Sequence, residues 1–184
     1  MSSPITLGLS GLDAVTQRFL GLLTRPLDTR FIEFSLNAPE SKLIVTSRAE
    51  APDGTVGIYK GSFTFAYVKD NLNTLLPYAL SVQADYPFTY RKLRSLLQTR
   101  YQFQVEPLEF AKTLGGVGLT DDDLIDVPLT SNYVELKLYA TADSGRFTTG
   151  SFLSLIVLQP LSRIPLKGLL DVDSTHCLDC LATS

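Results

Sequence analysis

The chain has 184 residues, 45% of them hydrophobic and 19% charged, with a formal net charge of −3. That length fits one domain, or two small ones sharing a core. Mixed charge along the chain leaves no basic footprint for nucleic acid, and runs such as Leu155-Ile156-Val157-Leu158 are too short to span a bilayer.

The start, Met1-Ser2-Ser3-Pro4, lacks the basic region of a secretory signal. The chain is therefore expected to be made in a cytoplasm without secretion. Ser10 and Asp13 then resemble a capping box, which predicts a helix from Gly11 to Leu23. Leu12, Val15, Phe19, Leu22 and Leu23 form its inward stripe. Pro26 stops it, because the residue before a proline disfavours helical geometry.

Phe31 to Leu36 alternates apolar and polar residues, as a strand with one buried face does. Leu43 to Thr46 is a second β-rich run, and Ala51-Pro52-Asp53-Gly54 is a turn. A return strand lies within Val56 to Lys69, and Asn71 to Gln83 fits either a short helix or a strand. Thr89 caps a helix through Arg100, with Leu93, Leu96 and Leu97 inward and Arg91, Lys92 and Arg94 outward. Pro107 is expected to open a short helix to about Leu114. Gly115-Gly116-Val117-Gly118 reads as a hinge before another short helix, capped by Thr120 and carrying Asp121, Asp122 and Asp123 in its first turn. Tyr133 to Ala140, a turn at Asp143-Ser144-Gly145, and Phe147 to Leu158 complete the predicted sheet.

Two stretches about a hundred residues apart match in spacing. Pro26-Leu27, Phe31-Ile32-Glu33-Phe34, Leu36 and Ala38 correspond to Pro128-Leu129, Tyr133-Val134-Glu135-Leu136, Leu138 and Ala140. Gly61-Ser62-Phe63 follows the first and Gly150-Ser151-Phe152 the second. The first unit carries 13 extra residues, since Pro26 stands 35 positions before Gly61 while Pro128 stands 22 before Gly150. The expected fold is α+β, an antiparallel sheet of two similar strand–turn–strand units with short helices packed on it. Residues 1–167 would be one domain holding the duplication (26–69 and 128–158), with 168–184 as a C-terminal tail.

Candidate chemistry is sparse. His176, Cys177 and Cys180 make half of a zinc knuckle, but four ligands are needed and the chain has no other Cys or His. No metal or other cofactor is expected. The two thiols read as plain ones, with an intersubunit disulfide or a shared metal as the alternatives. The Gly115–Gly118 run lacks the lysine of a phosphate loop and precedes three aspartates. Those aspartates do not alternate as calcium ligands do. Arg91, Lys92, Arg94 and Arg100 read as a solvated basic face. Glu33 and Glu135 occupy matching positions, which raises a paired-carboxylate hydrolase as one alternative. A carbohydrate- or ligand-binding module is another, and would align Tyr59, Tyr67, Tyr133 and Tyr139 on one exposed face.

The run from Leu93 to Phe110, with paired leucines, Tyr101, the alternating Phe103-Gln104-Val105 and Pro107-Leu108-Glu109, resembles virion structural proteins of large tailed bacteriophages. The strand–turn–strand from Tyr133 to Leu158 extends that resemblance. It implies a non-enzymatic component of a capsid, neck or tail, present in many copies and bound to other virion proteins. The interface candidates are Asp53, Gly54 and Tyr59 in the first loop, Asp143 and Arg146 in the second, and Leu170 and Leu178 in the tail.

Overall fold

The computed structural model describes residues 7–84, 86–127 and 133–158. Its elements are α1 (Gly11–Leu22), a 3-10 turn (Thr29–Phe31), β1 (Ile32–Asn37), β2 (Lys42–Ser47), β3 (Ser62–Ala66), α2 (Leu72–Leu75), β4 (Leu80–Gln83), α3 (Tyr90–Tyr101), β5 (Phe110–Ala111), β6 (Tyr133–Ala140) and β7 (Phe152–Leu158). The fold is α+β, with two sheets in place of the one expected. The first is antiparallel, in the order β1-β2-β3; the second is mixed, in the order β4-β7-β6-β5.

The first sheet follows directly from alternation. Ile32, Phe34, Leu36, Leu43, Val45, Phe63 and Phe65 share one face, while Glu33, Ser35, Lys42, Thr46, Ser62 and Thr64 share the other. Helix α1 lies on the apolar face and drives Phe19 among the rings of Phe34, Phe63 and Phe65, at centroid distances of 6.2, 5.7 and 5.3 Å. Ser10 caps this helix, accepting from the Asp13 amide at 3.0 Å. Val15 and Phe19 are buried as expected, with Leu12 and Leu23 packed against the same cluster, but Leu22 faces solvent.

The second sheet builds a separate core. Leu138, Ala140, Leu153, Leu155 and Val157 face Leu93, Leu97 and Phe103 from α3 and the loop after it. β4 runs parallel to β7, with Leu80 opposite Leu155. Its outer edge is closed by Tyr101: the Ser81 amide donates to the tyrosine hydroxyl at 2.9 Å, and that hydroxyl donates to the Ser81 carbonyl at 2.7 Å.

Both matched segments, Ile32–Asn37 and Tyr133–Ala140, are strands, but their partners differ. β6 pairs directly with the Gly-Ser-Phe strand β7, whereas β2 intervenes between β1 and the Gly-Ser-Phe strand β3. The extra residues of the first unit therefore accommodate a strand and a long loop.

Two expected helices are absent. The backbone after Pro107 forms a turn and then β5, with Leu108 amide donating to the Leu119 carbonyl and Thr141 amide to that of Glu109. Residues 121–125 lie along the start of α3, where Tyr90 and Arg91 amides donate to Asp123 and Asp121 carbonyls and the Ile125 amide to that of Phe88. Backbone groups spent on these neighbours are not available for a helix.

The two sheets meet at a polar seam. Tyr67 donates its hydroxyl to the Gly145 carbonyl at 2.8 Å, and Arg18 binds both carboxylate oxygens of Asp70 at 3.2 Å. A Cβ at Gly145 would meet Leu36 Cδ2 at 2.3 Å, so any other residue there would make the Leu36 side chain move.

Candidate interaction surface

The loop between β2 and β3, residues 48–61, is tied down at its base and open at its tip. Ala51 amide donates to the Thr55 carbonyl at 2.8 Å, and Gly54 takes a φ of +83° to complete the predicted turn. Asp53 accepts from the Thr55 amide at 3.0 Å and pairs with Arg30 at 3.3 Å. Those contacts, Thr55 first, hold its carboxyl below the ordinary range. Tyr59 is half-buried: its hydroxyl accepts from the Asp28 amide at 3.1 Å and its ring meets Phe31 edge-on. With the loop fixed in this way, Val56 and Ile58 project into solvent.

The loop leads into an open sheet edge. Gly61 carbonyl accepts from Ser47 and Tyr67 amide donates to Ser41, so the odd residues of β3 face β2. The amides and carbonyls of Ser62, Thr64 and Ala66 consequently point outward, with no hydrogen-bond partner among the described residues. Phe63 is 51% exposed beside this edge. The edge ends at Val68, whose carbonyl is taken by Arg18 at 2.9 Å. Neither charge nor proline interrupts Ser62–Ala66, the usual means of blunting an exposed edge.

The other predicted site residues are scattered. Asp143 is exposed in the β6–β7 turn. Arg146, expected at an interface, has a side chain 0% exposed and is paired with Glu109 at 2.9 Å. Its five N–H groups are all engaged: Nε and Nη2 with the two Glu109 oxygens, Nη1 with the Leu7 and Leu9 carbonyls, and Nη2 also with the Gln104 carbonyl. Ser144 adds a hydroxyl to Glu109 Oε1 at 3.1 Å. No sequence signal separated this arginine from its exposed neighbour Asp143; the pairing with Glu109 is made across 37 positions. Leu170, Leu178, His176, Cys177 and Cys180 lie outside the described residues.

Glu33 is 62% exposed, with Arg48 4.0 Å away, and Glu135 is exposed on the other sheet. Neither lines the cleft at the β6–β7 turn or the groove on α3. Tyr67 is buried at the seam and Tyr59 is committed to Asp28, so the four tyrosines do not line one face. A cleft of about 280 Å³ lies between the Gly115–Gly118 loop and the β6–β7 turn. The Thr141 and Thr149 hydroxyls in it donate to backbone carbonyls, and its charged lining group is Asp143, which opposes an anion. A groove of about 420 Å³ on α3 holds Arg91 and Arg94, but Asp121 and Asp122 bind both guanidiniums. Asp123 accepts from the Thr120 amide and hydroxyl. No cluster of three or more His, Cys, Asp or Glu side chains fit to hold a metal occurs among the described residues. Nor, among them, is any helix long and apolar enough to cross a membrane.

No family model, curated protein or solved structure matches this chain. The functional reading therefore rests on its own surface.

Proposed function

We propose that the chain is a non-enzymatic structural component of a tailed-phage virion, in the capsid, neck or tail, and joins copies of itself and other virion subunits. The observation that carries this reading is the unblunted β3 edge. Its outward backbone groups and the half-exposed Phe63 lie next to a braced loop with an apolar tip. An edge of this kind is a template for strand addition. Burial of a surface on the order of 1,600 Å² is enough for a specific protein–protein joint. The resemblance of residues 93–158 to virion proteins supplies the setting.

A hydrolase would need Glu33 or Glu135 in a recess that raises its pKa, and both stand on open strand faces. A ligand-binding module would need its aromatics aligned on one exposed face, and they are divided between the two sheets and the seam.

Size-exclusion chromatography with light scattering on the isolated chain tests the assembly reading. A discrete oligomer, or a stoichiometric complex with a second virion protein, is expected. A monomer that binds none of them contradicts it. The setting is tested by mass spectrometry of purified particles, which should contain the chain at many copies per particle.

A further inference from the structure

We infer that β3 pairs with β3 of a second copy, antiparallel, about a two-fold axis through Thr64. This inference rests on the assembly reading above and names the joint and the partner. Ser62-Phe63-Thr64-Phe65-Ala66 reads nearly the same in both directions, with small residues outside, aromatics inside and a threonine at the centre. An isologous interface needs such self-complementarity, because one patch must meet itself.

The register follows from which backbone groups are open. Ser62, Thr64 and Ala66 present their amides and carbonyls outward. With Thr64 on the axis it opposes Thr64 of the second copy, and Ser62 opposes Ala66 of that copy. All of these are hydrogen-bonding pairs, so each outward donor and acceptor finds a partner. Phe63 then opposes Phe65 of the second copy on the face that carries α1. This covers the half-exposed ring with an aromatic neighbour, a favourable cross-strand pair. Any shift by one residue sets outward groups against inward ones and loses the ladder.

Charge agrees with this register. Lys60 falls opposite Val68 of the second copy, and Lys69 opposite its Tyr59, so no like charges meet. Val68 is 80% exposed and gains cover from the lysine stem. The β1 edge is the poorer candidate. The Ile32 amide is already spent on the Thr29 carbonyl, and Glu33 puts a charge in the strand, where Ser62–Ala66 has none.

Two variants test the joint. Thr64→Pro removes an amide that has no partner among the described residues, so a proline at this outward position leaves the β2–β3 ladder intact. The wild type is expected to run as a dimer or a multiple of it. Thr64→Pro should lose that association while keeping the wild-type circular dichroism and a cooperative melt that no longer depends on protein concentration. Thr64→Cys, in a chain with Cys177→Ser and Cys180→Ser, should cross-link to a covalent dimer on mild oxidation. Opposed Cα atoms about 5.5 Å apart in a hydrogen-bonded pair lie within disulfide reach. An assembled wild type whose mass survives Thr64→Pro, with Thr64→Cys uncross-linked, overturns the β3 joint and leaves the assembly reading standing. A wild type monomeric at every concentration, without cross-linking, overturns the second-copy partner. Protected amides at Ser62, Thr64 and Ala66 in that monomer would give the edge to residues 159–184 of the same chain, again against this inference.

Discussion

A guanidinium removed from water needs a partner for each of its five N–H groups, and Arg146 finds them on three separate stretches of chain. Leu7 and Leu9 precede α1, Gln104 follows α3, and Glu109 precedes β5, so one side chain fastens the N-terminal segment to the second core. Removing one partner of such a pair strands the other charge in the interior. Arg146→Met is therefore expected to cost about 3–5 kcal/mol, read as a lower urea midpoint, while Asp143→Asn in the same turn should change it by less than about 0.5 kcal/mol. The buried tyrosines carry a second expectation. Burial pushes the Tyr67 hydroxyl from 10.0 up to about 12, and burial also raises Tyr90. A raised pKa in the folded state means that the neutral form is the stabilised one. This contribution is whole below pH 10.0 and is lost as pH rises through about 12. In an absorbance titration, Tyr67 and Tyr90 should ionise late, together with alkaline unfolding. Tyr67→Phe, which gives up the bond to Gly145, should lower stability by about 1 kcal/mol.

At the scale of elements, α1 depends on a single aromatic. Phe19 touches three ring-bearing strand positions, and Phe19→Ala should destabilise the fold by about 3–5 kcal/mol, with loss of near-ultraviolet dichroism from the phenylalanine cluster. Gly118 marks a different dependence: a Cβ there would lie 2.5 Å from the Leu108 carbonyl, so Gly118→Ala must displace the turn that leads into β5. A lowered melting temperature is the expected outcome. Local signals in the sequence sufficed where an element depends on its own residues. Ser10 and Thr89 cap α1 and α3 as their spacing predicts, and alternation marks β1, as an apolar run marks β7. They failed where distant partners decide. Pro107 and Thr120 look like helix starts, but Leu119, Thr141, Phe88 and Tyr90 claim the backbone that follows them. The insertion in the first repeat-like unit was readable as extra length; that it holds β2, and so divides the sheet in two, depends on pairings no local pattern encodes.

For the whole molecule, the two cores do unequal work. In the second, α3 covers one face, Tyr101 plugs the β4 edge, and Arg146 secures the loops around it, while β5 pairs with only the end of β6. The first keeps α1 on one face and leaves the outer edge of β3, with Phe63 beside it, without a partner among the described residues. The interface candidates Asp53, Gly54 and Tyr59 lie in the loop that leads into this edge, tied to Asp28, Arg30 and Phe31, and alternation alone did not show which strand would be outermost. Assembly turns on what occupies that edge. Amide hydrogen exchange at Ser62, Thr64 and Ala66, followed as protein concentration rises, tests it most directly. Protection that grows with concentration at these three positions, while Leu43 and Val45 stay protected throughout, is the predicted result. Rapid exchange at all three that is the same at every concentration, and unaffected by other virion subunits, would contradict it.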